Sequence, residues 1–151
     1  MTRFGSKHYR PSPTACWHWL GAISSTGHGS FRAGTLPGPT RRGTVPAHLF
    51  AYRFFHGPTS TPAQILCHRC DEAGCVNPTH LRPGTSAENR IEWATRRHNL
   101  HGPLADTRGP AGRSRAIATT IRTALAEGEP SGTIESRIRG VKADGVPLAL
   151  W

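Results

Sequence analysis

The chain has 151 residues, 36% of them hydrophobic, and its 17 glycines and 13 prolines imply many loops around a thin core. Nineteen Lys and Arg against nine Asp and Glu give a net charge of +10, which points to a polyanionic partner, most simply nucleic acid. No apolar run approaches the roughly 20 residues of a membrane span, and the charged start of the chain lacks the apolar segment of a secretion signal. A cytoplasmic protein is therefore expected, where four cysteines and nine histidines favour metal over disulfides.

Residues 1–14 are polar and punctuated by proline, and are expected to form an arm. The packed part begins with Cys16-Trp17-His18-Trp19-Leu20, a short aromatic-rich strand. Gly27, Gly29 and Gly34 then flank Ser30-Phe31-Arg32, a strand in a hairpin that spans about 28–45 and turns near Leu36-Pro37-Gly38-Pro39. From Pro46 to His56 the residues Ala47, Phe50, Ala51 and Phe54 fall at helical spacing, with Gly57 as the stop, so a core helix is predicted.

Ile65-Leu66-Cys67-His68 has the pattern of a strand entering a loop rich in Cys and His. Thr85-Ser86-Ala87-Glu88 forms a capping box, which opens a helix to about Arg97 with Ile91 on a face that can pack. Residues 15–97 are expected to be the folded core and 98–112 a Gly/Pro/His linker. Residues 113–151 make a second, helical unit: Arg113, Ile117, Ile121 and Leu125 recur every fourth residue, and a shorter helix covers about Thr133 to Val141. That unit carries Arg113, Arg115, Arg122, Arg137 and Arg139 and is expected to dock on the core, contact DNA or dimerise.

The most informative stretch is 67–89. Cys70, Cys75 and His80 are soft ligands five residues apart, and a short loop can supply three of the four N/S ligands that tetrahedral Zn²⁺ takes. The fourth is Cys16 or Cys67. Cys16 is favoured, because ligation by Cys67 would pin the strand end beside His68 and because a bond to Cys16 staples a long chain segment. Cys67 as the ligand would instead make a zinc knuckle with permuted ligand types.

The run His68-x-Cys70-x4-Cys75-x-Asn77-Pro78-x-His80-Leu81, with Asn89 nine residues beyond His80, resembles the HNH, or ββα-metal, endonucleases. The likeness is nearest to their His-Cys box homing and phage-type branches and covers roughly residues 15–97. It implies an α+β fold: a small zinc-stabilised ββα-metal core, preceded by a β-hairpin and helix and followed by a helical extension. It further implies a bacterial or phage-encoded enzyme that hydrolyses double-stranded DNA with one Mg²⁺ or Mn²⁺ ion. His68 would be the general base, Asn89 the metal ligand through its amide oxygen, and His80 a zinc ligand. Asn77 would shape the loop. An arginine of the hairpin would hold the scissile phosphate, with Arg41 placed ahead of Arg32 and Arg42; the same three are candidates for DNA contacts.

Two departures from the family pattern stand out. Cys67 occupies a position that is often acidic, and no cysteine follows Cys75. A zinc-stabilised DNA-binding protein without catalysis is accordingly the alternative function, and an RNA-binding zinc knuckle a third. Cutting both strands with one site per chain would call for a homodimer.

Overall fold

The computed structural model describes residues 2–33, 43–57 and 65–148. They form an α+β structure of three two-stranded antiparallel sheets and four helices. β1 (His8–Tyr9) pairs with β2 (His18–Trp19), and β3 (Ser30–Arg32) pairs with β4 (Thr44–Pro46), which runs straight into α1 (Ala47–His56). β5 (Ile65–His68) pairs with β6 (Leu81–Gly84) in the register His68 opposite Leu81, and α2 (Ser86–Arg96) follows. α3 (Gly109–Ala126) and α4 (Ser131–Ala143) close the chain as a helical hairpin.

Aromatic burial builds the first core. Phe4, Trp17, Trp19 and Phe31 meet Ala47, Ala51 and Val76, with the half-buried Phe50 against them. Small residues let these rings approach: a Cβ on Gly29 would lie 2.5 Å from the Trp19 indole. The expected arm at 1–14 is thus a docked segment. Phe4 stacks among Trp19, Phe31 and Phe50, and β1 hydrogen-bonds the packed strand. A lone Phe behind Thr2 and Arg3 carries no local signal of this; its burial is decided by apolar partners elsewhere in the chain.

The second core lies between α3 and α4, where Ile117, Ile121, Ala124, Ile134 and Ile138 interdigitate, with Tyr9 and Leu20 of the first unit packed against them. The helical pair is therefore docked on the core. Leu125, expected on its buried face, is exposed, and Ala124 is buried instead. The reason is geometric. A residue every fourth position drifts about 40° per step around a helix that turns 100° per residue, so three steps carry the face about 120° away.

α2 keeps the capping box the sequence announced. The Thr85 hydroxyl accepts from the Glu88 backbone N–H at 3.1 Å, while the Thr85 N–H donates to the Glu88 carboxylate at 2.7 Å. The packing expected of Ile91 is not observed: α2 buries no residue, and Ile91 is 67% exposed. Ion pairs tether it instead, Glu92 to Arg82 of β6 and Arg96 to Asp71.

Candidate metal centre and cleft

A short ladder brings Cys16 to the loop at 70–80. The Trp19 N–H donates to the Gly74 carbonyl at 3.0 Å and the Val76 N–H to the Trp17 carbonyl at 2.9 Å, with His18 bridged to Cys75. Asn77, wholly buried, completes the zipper. Its Nδ2 donates to the carbonyls of Pro13 at 3.0 Å and Ala15 at 2.7 Å, and its Oδ1 accepts from the backbone and hydroxyl of Thr79. Nδ2 thus holds the segment ahead of β2 against the loop, while Oδ1 shapes the loop itself.

As a result Cys16, Cys70, Cys75 and His80 converge, with one ligand atom from each lying within 4.8 Å of the others. The fourth ligand position thus goes to Cys16; Cys67 is buried at the end of β5 and lies outside the cluster. His80 Nδ1 is 3.6 Å from the sulfurs of both Cys16 and Cys75. A tetrahedral zinc with bonds of about 2.3 Å to sulfur and about 2.0–2.1 Å to nitrogen separates S from N by about 3.6 Å, so this donor set fits such an ion. His80 Nε2 lies 3.0 Å from the Thr14 carbonyl, to which it donates, and this fixes Nδ1 as the ligating lone pair. The thiols themselves compete. Hydrogen bonds from Cys16 and Cys75 hold the Cys70 thiol far below the usual range. The reverse contact with Cys70, then burial, pushes Cys16 up to about 12, and Cys75 is raised still further. A divalent cation removes the conflict, since it lets all three ionise.

On the other side of the loop opens a cleft of about 550 Å³, and both His68 and Asn89 line it. His68 ends β5, with its Nε2 3.0 Å from the Cys75 carbonyl. A carbonyl only accepts, so Nε2 carries the proton and Nδ1 of the neutral ring keeps a free lone pair. Asn89 is exposed in the first turn of α2. Asp71, held at φ 57° in the left-handed region, adds a carboxylate ion-paired to Arg96 at 3.1 Å. Partial burial raises its pKa despite that guanidinium.

Two further histidines stand in the cleft, and the sequence assigned a role to neither. His28, between the glycines ahead of β3, and His48, in the first turn of α1, lie with ring centroids 4.9 Å apart and 5.4 and 5.1 Å from His68. Burial and then the neighbouring His68 push His28 down to about 4, and burial lowers His48 well below the usual range, so both rings are neutral at pH 7. No spacing rule links residues 28, 48 and 68; only the meeting of three elements does.

The arginines distribute differently from expectation. Arg41 and Arg42 lie outside the described residues, and Arg32 is exposed on β3, away from the cleft lining. Arg113 faces neither DNA nor solvent. It is buried, and its Nε donates to Glu72 at 3.1 Å and its Nη1 to Asp106 at 3.0 Å. Glu72 sits inside the metal loop, and Lys142 of α4 reaches it at 3.4 Å, so the C-terminal hairpin is bolted to that loop. Arg122 donates to the Leu20 carbonyl at 2.9 Å, Arg115 reaches the Ile23 and Ser24 carbonyls, and Arg137 pairs with Glu127 and Glu129. These side chains fasten the helical pair to its own chain.

No family model and no solved structure matches the chain. It is similar to Protein 7.7 of Escherichia phage T7, 27% identical over 124 residues that cover 82% of this chain and 88% of that protein. It is also similar to Protein 2.8 of the same phage, 26% identical over 89 residues, 59% of this chain and 56% of that protein. Both relatives are phage proteins. No described helix is long and apolar enough to cross a membrane.

Proposed function

We propose that this chain is a metal-dependent DNA endonuclease of the HNH, or ββα-metal, type, with the cysteine cluster as a structural zinc site. The observation that carries the reading is His68: one nitrogen is committed to the Cys75 carbonyl and the other is free, in a cleft shared with Asn89. Such an imidazole has the geometry of a general base toward a water in the cleft. The succession β5, metal loop, β6, α2 has the order that the sequence resemblance implies.

Asn89 and Asp71 are hard oxygen donors of the kind Mg²⁺ or Mn²⁺ accepts, and together they supply the oxygen missing at position 67. An ion held there would stabilise charge on the scissile phosphate and the leaving oxygen. Attachment of His68 to Cys75 means that the zinc loop orients the base, a positioning effect and not a chemical one. The net charge of +10 attracts the polyanionic substrate.

Supercoiled plasmid incubated with the protein and Mg²⁺ or Mn²⁺ should become nicked or linear, and EDTA should prevent it. His68→Ala should lower cleavage at least about a hundredfold, the low end for a general base, with zinc content and DNA binding retained. Plasmid left intact by the wild-type protein would reduce it to a zinc-stabilised binding module. Normal cutting by His68→Ala would remove the base assignment.

A further inference from the structure

The geometry points to a second transition-metal site, made of the imidazoles of His28, His48 and His68 and separate from the cysteine centre. Three imidazoles around one tetrahedral ion at metal–nitrogen distances of about 2.0–2.1 Å place their ring centroids about 5 Å apart. The three observed separations are 4.9, 5.1 and 5.4 Å. Three different segments supply them: the turn before β3, the start of α1 and the end of β5.

The surroundings of the rings suit ligation. Metal-bound histidines hold their second nitrogen in a hydrogen bond, and two of these three already do so. His68 Nε2 donates to the Cys75 carbonyl at 3.0 Å, and His28 Nδ1 is 2.9 Å from the Thr26 hydroxyl. His48 Nδ1 is buried with no hydrogen-bond partner, an unfavourable state that a ligand would relieve. Among the described residues only the cysteine cluster has its ligand atoms already within 4.8 Å of one another. The histidine nitrogens are therefore not yet converged, and an ion would have to turn them toward one another; at His48 the buried Nδ1 has no hydrogen bond to lose. Imidazole selects borderline ions such as Zn²⁺, Co²⁺ or Ni²⁺ over Mg²⁺.

Zn²⁺ at this site takes the free lone pair of His68. It therefore inhibits cleavage, a consequence that rests on the nuclease reading, whereas the binding itself does not. Zinc titration followed by equilibrium dialysis should give two ions per chain. His28→Asn and His48→Asn should each retain one ion and lose the second. Cobalt added to the protein carrying one zinc should show d–d absorption without the intense sulfur-to-cobalt charge-transfer band, which tests the site in the unaltered chain. A wild-type stoichiometry of one, a second ion that survives both substitutions, or a charge-transfer band on the added cobalt would each overturn the assignment. In Mg²⁺, the second zinc equivalent should suppress plasmid nicking; undiminished nicking with that ion bound to all three rings would overturn the inhibitory role.

Discussion

Cys16→Ser tests the proposed zinc staple between the segment ahead of β2 and the loop at 70–80. The substitution keeps the shape of the side chain and removes one of four ligands, and with it the closure of the segment from Cys16 to Cys70, 54 residues long (70 − 16). By the chain-entropy relation for a covalent cross-link, closing a loop of that length is worth about 4 kcal/mol at 25 °C, taken as an upper bound for a metal bond. Domains of this size are stable by about 5–15 kcal/mol in total, so the variant should unfold at much lower urea in the presence of zinc. Cys67→Ser is the control: Cys67 is buried where Cys16 is half-buried, and it belongs to no ligand cluster. Zinc content by atomic emission and urea midpoints by circular dichroism should separate the two, with zinc lost or greatly weakened in Cys16→Ser and kept in Cys67→Ser. Zinc retained by Cys16→Ser and lost from Cys67→Ser would refute the placement and restore a zinc knuckle.

Removing one partner of the buried ion network should be severe. Arg113→Met leaves Glu72 with Lys142 alone and Asp106, whose side chain is 1% exposed, with Arg108 alone, and should cost up to about 3 kcal/mol, seen as a fall in melting temperature of several degrees. The same network gives a pH dependence. The Arg108 guanidinium, together with Arg113, holds Asp106 far below the usual carboxylate range, so the folded state binds fewer protons than the unfolded one. The stabilisation is present above the unfolded pKa of about 3.9 and is lost as pH falls through the folded value. His28, pushed down to about 4, adds a loss of the same sign that begins below pH 6.5. Urea midpoints should hold between pH 7 and 8 and fall steadily below 6.5, and His28→Asn should flatten the upper part of that decline.

Much of the local structure was legible. The capping box at Thr85, the helical spacing of Ala47 and Ala51, and the turn that Asn77 makes with Thr79 each depend on neighbours within a few residues, and a sequence displays those neighbours directly. The cysteine cluster was legible for a different reason, since few residue types ligate soft metals. Arg113 was not legible. It shares the spacing of Ile117 and Ile121, and its burial is set by carboxylates at positions 72 and 106 that its own helix does not contain. The histidine pair in the cleft was missed likewise, because His28 and His48 become neighbours of His68 only through three separate strand and helix ends.

The bolt between Glu72 and Arg113 also sets an order of events during synthesis. The two residues are 41 positions apart, so at about 5–20 residues per second the carboxylate leaves the ribosome some 2–8 s before its guanidinium. Glu72 cannot be buried without that partner at acceptable cost, so the loop stays open to water through that interval. All four ligands of the cysteine cluster, the last of them His80, have by then been made. Any metal taken by this cluster would therefore be captured before closure, with α3 and α4 sealing it in afterwards.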